Sequence, residues 1–205
     1  MPVWKGIVGR GFTADEFATY VSGLSFVSWR PSFVVLHNTA VPTFAQWHSV
    51  PGEQRMQNLQ SYYRDTMKWS GGPHVFVADD LLWVFTPLTV PGVHSPSWNN
   101  VSWGVELVGD YSTEQIVPGL KANAISALAT LHGVLGIDPS ALRLHREDPL
   151  TTHLCPGNNI SKADFIAVVT AALVQAFPGE HPNMSSVAED LQRAKEGGNA
   201  PKQKI

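Results

Sequence analysis

Phe33-Val34-Val35-Leu36-His37-Asn38-Thr39 is the stretch that decides the fold. Four apolar residues of β-forming type follow one another without polar alternation, the pattern of a strand buried on both faces. Such a strand needs helices packed over the sheet it belongs to. The run ends on His37, so the strand carries an imidazole to the rim of a hydrophobic core.

Outward from this strand, the elements alternate. Residues 13–22 open with Thr13 and carry Glu16 three positions later, a capping-box pattern for a short helix. Residues 53–68 place Met56, Leu59, Tyr63 and Met67 at helical spacing on a polar background. His74-Val75-Phe76-Val77 and Leu81-Leu82-Trp83-Val84-Phe85 flank Asp79-Asp80 and predict a hairpin. Residues 87–100 are rich in Pro, Ser and Asn and read as a loop. A strand over 103–108 follows, then an apolar helix over 120–135 stopped near Gly136. Leu142-Arg143-Leu144 is a short strand leading into His145, a loop holds 146–160, and Ser161 caps a helix over 162–177. From Pro178 the composition turns polar, with a short helix expected around 186–195 and disorder beyond it. The order implies an α/β domain: a central mixed β-sheet flanked by helices. Residues 1–30 are expected as an N-terminal segment with a short helix packed on the domain, 31–178 as the domain itself, and 179–205 as a tail.

Composition narrows the function. The 205 residues are 43% hydrophobic, enough for a core, with a formal net charge of −3. So neutral a chain has no broad basic field for nucleic acid. No run of about 18 apolar residues occurs, so no membrane span is expected. The first residues lack a basic region followed by an apolar run, so a soluble protein made in the cytoplasm without a signal peptide is expected.

Cys155 is the single cysteine, which excludes an intramolecular disulfide. It is an inert core residue, a nucleophile or a metal ligand. His37 and His145 each stand at the end of a strand, and Cys155 follows ten residues after His145. Two imidazoles and a thiolate suit zinc with a fourth position open, the arrangement of catalytic sites. The spacing alone leaves scattered core or surface histidines as an equal alternative. Glu106 stands in the apolar run Trp103-Gly104-Val105-Glu106-Leu107-Val108. Either it points to solvent, or it sits at a metal site as a proton acceptor. His153, two residues before Cys155, is a candidate donor to an oxyanion.

Five segments carry a resemblance: Val35-Leu36-His37-Asn38-Thr39; Pro73-His74-Val75-Phe76-Val77; His94 with Trp98 through Leu107; Leu144-His145-Arg146-Glu147-Asp148; and Cys155-Pro156-Gly157. In content and order they resemble the zinc-dependent N-acetylmuramoyl-L-alanine amidases, which include phage endolysins, bacterial amidases and animal peptidoglycan-recognition proteins. The resemblance spans about residues 33–177. It implies that His37, His145 and Cys155 hold Zn2+, that Glu106 is the acidic catalytic residue of the bacterial branch, and that His153 takes a place where many members carry Lys. Exchanging Lys for His makes activity more dependent on pH, since imidazole titrates near neutrality. Pro73 stands where the phage-lysozyme branch has a tyrosine, leaving Glu106 to activate water alone.

His74 and His94 match family positions and are read as lining the substrate groove, with a structural hydrogen bond as the alternative. Trp98 and Asn99 are placed in the groove loop, whereas Trp47 and Trp69 are not. His48, His132 and His181 match nothing and read as ordinary histidines. The implied partner is bacterial peptidoglycan, cut between N-acetylmuramic acid and L-alanine by a monomer. A phage endolysin released to the wall by a holin is favoured. A cytosolic anhydro-muropeptide recycling amidase and a non-catalytic peptidoglycan sensor are the alternatives.

Overall fold

A computed structural model describes residues 3–176. Six strands form one sheet: β1 (Arg10–Phe12), β2 (Phe33–Asn38), β3 (Val75–Val77), β4 (Leu82–Val84), β5 (Ser102–Leu107) and β6 (Arg143–Leu144). Their order across the sheet is β1-β4-β3-β5-β2-β6. β4 runs antiparallel to both of its neighbours, β1 and β3, while β3, β5, β2 and β6 are mutually parallel. The sheet is mixed, as the element order implies.

Alternation along β2 and β5 divides their side chains between two faces. Val34 and Leu36, in register with Trp103 and Val105, are fully buried on one face. Helix α4 (Pro118–Leu135) lies along β2 and β3, with α1 (Ala14–Ser22) and α5 (Lys162–Ala176) packed on α4. Its end at Gly136 takes the left-handed conformation, φ 61°, which glycine adopts without steric cost. The capping box of α1 is formed, with Thr13 Oγ1 accepting from Glu16 N–H and the Glu16 carboxylate accepting from Thr13 N–H.

On the other side of the sheet, the short helix α2 (Phe44–Trp47) stacks Trp47 on Phe76 with ring centroids 5.9 Å apart. Helix α3 (Gly52–Ser61) follows, and the helix expected over 53–68 changes character within its length. From Tyr62 to Thr66 it is a π-helix, closed by Met67 N–H donating to the Tyr62 carbonyl.

One expectation needs amendment. The segment 1–30 does more than pack on the domain, because β1 pairs with β4 and forms an edge of the sheet. The helix expected near 186–195 and the disorder expected in the tail lie outside the described residues. Among those described, no helix is long and apolar enough to cross a membrane.

Candidate metal centre

Strand register assembles the site. His37 on β2 is the in-register partner of Glu106 on β5, so the two side chains leave the sheet side by side on the same face. On the other flank of β2, Leu144 of β6 pairs with Leu36, and His145 comes one residue later. Glu106, His37 and His145 thus form a row at the carboxyl ends of three adjacent parallel strands, the region where open α/β sheets bind ligands.

Cys155 arrives from the loop after β6. That loop is fastened by Arg146 N–H to the Cys155 carbonyl, 2.8 Å, and by the Arg146 guanidinium to the Gly157 carbonyl, 2.8 Å. Asp148 ties it to the opposite loop by accepting from Ser95 Oγ and from Ser97 N–H. Burial pushes this carboxyl upward, but the hydrogen bonds prevail and hold it at about 2. As a result, ligating atoms of His37, His145 and Cys155 all lie within 4.8 Å of one another.

His37 has its two ring nitrogens in different surroundings. Nδ1 lies 3.8 Å from Cys155 Sγ, and Nε2 lies 3.1 Å from His94 Nδ1. His94 in turn approaches the Ser102 carbonyl with Nε2 at 3.3 Å. A chain of this kind fixes the ring orientation and tautomer of a metal-binding imidazole. The His94 ring lies against β5 at Gly104, where a Cβ would come within 2.4 Å of His94 Cγ. No side chain fits at that strand position without displacing His94.

Electrostatics sharpen the picture. Burial holds His37 well below the usual imidazole range, and the neighbouring His94, His145 and His74 add to the effect. Burial also lowers His94 to about 4, and lowers His145 with help from His153. The imidazoles are therefore neutral, as a metal requires. Burial pushes the Cys155 thiol up, with Glu106 adding to the effect, so binding a cation there must release the thiol proton. Glu106 is raised to about 8 by burial alone, and its Oε2 has no hydrogen-bond partner. His145 Nε2 is likewise buried without a partner. A nitrogen lone pair left unpaired beside a thiol and a second imidazole fits a zinc ligand set.

The trio opens into a cavity of about 370 Å³ that Glu106, Tyr63 and Trp69 also line. A second cavity of about 360 Å³ adjoins it, sharing Trp69, His94, His145 and His153 and continuing to Asn99 and Thr151. His153 is exposed and stands near His145, ring centroids 6.1 Å apart.

The groove residues divide. His94 reaches the groove and also braces His37. Asn99 lines the second cavity, while its Oδ1 accepts from the N–H groups of His94 and Ser95 and so shapes the loop carrying His94. His74 does not line the groove. It is fully buried, accepts from Gly104 N–H at Nδ1, faces the Val90 carbonyl with Nε2, and stacks on Trp29. Both ring nitrogens are engaged by backbone, so its role is structural. Trp98 packs edge-on against Phe33 and lines neither cavity. Trp69 takes the groove position instead. Tyr63 and Trp69 are the aromatic lining residues that sequence reasoning missed: Tyr63 read as the apolar face of a helix, and Trp69 carried no motif.

The fold and site together define a mixed α/β domain with a candidate three-ligand metal centre at the carboxyl edge of its parallel strands. This chain belongs to the N-acetylmuramoyl-L-alanine amidase family Amidase_2, whose pattern matches residues 28–158. Among curated proteins, peptidoglycan-recognition protein SC2 of Drosophila melanogaster is 27% identical over 140 residues, covering 63% of this chain and 70% of that protein. The fold is shared with the endolysin amidase LysCS from Clostridium intestinale, TM-score 0.55 at 23% identity, over 68% of this chain and 83% of that one. It is shared also with a tyrosine-to-phenylalanine mutant of Drosophila peptidoglycan-recognition protein LB in complex with tracheal cytotoxin, TM-score 0.58 at 21% identity, over 77% and 87% of the chains.

Proposed function

We propose that this protein is a zinc-dependent amidase that hydrolyses the bond between N-acetylmuramic acid and L-alanine in bacterial peptidoglycan, acting as a phage endolysin. The observation that carries the reading is the convergence of His37, His145 and Cys155 beside the buried carboxyl of Glu106. His37, His145 and Cys155 would hold the zinc, which supplies polarisation of the scissile carbonyl and activation of water.

The chain's own groups perform the rest. Glu106, ionised, accepts the proton of the attacking water and returns it to the departing amine of L-alanine. His153 faces the developing oxyanion from the exposed rim of the groove. His94 keeps the His37 ring in one orientation throughout. Burial of Glu106 makes it a stronger base than a solvated carboxylate, since a proton relieves the cost of an unpaired buried charge.

The family supports peptidoglycan as substrate, and relatives and fold neighbours are named for recognising it. Two cavities joined along Trp69, with exposed Leu150 and Leu154 at the rim, suit a polymer. In the lytic reading a monomer is made in the host cytoplasm and reaches the wall after holin-type release. The sensor reading draws on the recognition-protein relatives, but a sensor has no need of a complete ligand trio with a base beside it.

The test is to digest intact sacculi and, in parallel, soluble anhydro-muropeptides, and to follow new L-alanine amino termini by mass spectrometry. Rapid release from sacculi supports the lytic amidase. Turnover confined to the soluble fragment indicates recycling, and binding without amine release indicates a sensor.

A further inference from the structure

One side chain in the metal cavity has no part in the mechanism above. Tyr63 lies in the π-helix that ends α3; its neighbour Tyr62 is half exposed, while Tyr63 faces the cavity. π-turns inside α-helices occur often at functional sites.

The Tyr63 ring is held on three sides. Trp69 stacks on it nearly parallel, centroids 5.2 Å apart at 8°, and Phe85 meets it edge-on at 5.6 Å. Gly72 closes the third side, where a Cβ would come within 2.9 Å of Tyr63 Cδ2. A ring so fixed carries its hydroxyl to one place. The phenol is kept protonated first by burial and then by the charge of Glu106, so it is a hydrogen-bond donor throughout the neutral range.

Resting on the amidase reading, we propose that Tyr63 is a catalytic residue, its phenol donating a hydrogen bond to the oxygen on which charge develops when the amide carbonyl is attacked. A fixed ring, a shared cavity with His37, Cys155 and Glu106, and a preorganised donor are what oxyanion stabilisation requires. The water oxygen bonds to the carbonyl carbon, the carbonyl π pair moves onto its oxygen, and Tyr63 donates to that oxygen without losing its proton. Glu106 takes the water proton. The C–N bond then breaks as the oxygen pair re-forms the carbonyl, and Glu106 delivers the proton to the amine.

The experiment compares zinc-loaded wild type and Tyr63→Phe on a soluble muropeptide, measuring kcat and KM from pH 6 to 9, zinc content and thermal stability. Phe keeps the ring stack and deletes one oxygen. A kcat lower by about 10²-fold at every pH, with KM and zinc content within a factor of about three, is the expected result. A kcat within threefold of wild type overturns the inference and leaves the amidase reading intact. Loss of zinc or of the folded state in Tyr63→Phe also overturns it, because Tyr63 is then a packing residue. A wild type that releases no L-alanine amine fails the amidase reading itself, and the role of Tyr63 with it.

Discussion

Glu106→Gln should make the metal-free protein more stable while it removes the activity of the zinc-loaded one. The carboxyl is buried in strand β5 with one oxygen unpaired, and burial lifts it from 4.5 to about 8. Folded chains therefore hold a proton that unfolded chains have released. Because the folded value is the higher one, the favourable contribution is complete below pH 4.5 and is lost as pH rises through 8. Relative to an uncharged side chain of the same shape, the folded state is penalised by about 1 kcal/mol at pH 5, about 3 at pH 7 and about 4 at pH 8.

Glutamine has that shape and no charge, so urea unfolding with a chelator, followed by tryptophan fluorescence, should give those gains over wild type at the three pH values. The zinc-loaded variant should keep its metal, since Glu106 is not one of the three ligands, and lose about 10²–10⁴-fold in kcat. A stability difference that does not grow from pH 5 to pH 8 would refute the burial argument. A variant near wild-type activity would refute the role as base.

Cys155→Ser should bind zinc far more weakly and lose activity, while Cys155→Asp should retain part of both, because a carboxylate is a better zinc ligand than a hydroxyl; zinc content after dialysis measures this. His153→Ala should lower kcat with little change in KM, and His153→Lys should recover part of the loss, as checked by initial rates on muropeptide. His132 is fully buried in α4, and neither ring nitrogen makes a well-formed hydrogen bond, although the backbone of Ile137 and Asp138 lies near. Burial lowers it to about 4, so its contribution is present above pH 6.5 and lost as pH falls toward 4. His132→Leu should gain about 2 kcal/mol more over wild type at pH 4.5 than at pH 7 in urea unfolding.

What the sequence showed of the fold followed from burial. The strands at 33–38, 75–77, 82–84 and 102–107 sit in apolar runs because both of their faces are covered. Arg10–Phe12 is a strand of three residues containing a glycine, and nothing in its composition marks it. Its pairing with β4 is a matter of tertiary position. The helix over 53–68 was visible as a period, but a period cannot show that the backbone widens into a π-turn at Tyr62.

In the site, His37, Glu106 and His145 were legible because each ends or interrupts an apolar strand. The assignment of His74 to the groove failed for a local reason. Its partners are the N–H of Gly104 and the carbonyl of Val90, backbone groups brought to it by neighbouring strands and loops, and residue types do not reveal such groups. Trp98 and Trp69 exchanged places for a similar reason, since Trp98 packs against Phe33 at the start of β2, a contact between residues far apart in sequence.

The central claim is that His37, His145 and Cys155 hold one zinc ion on which amide hydrolysis depends. Its most direct test is elemental mass spectrometry of the purified protein during stepwise removal and return of zinc, with L-alanine amine release from peptidoglycan measured on each sample. The account predicts activity proportional to zinc up to one ion per chain, with full recovery on reloading. Undiminished amine release from protein carrying no metal would contradict it.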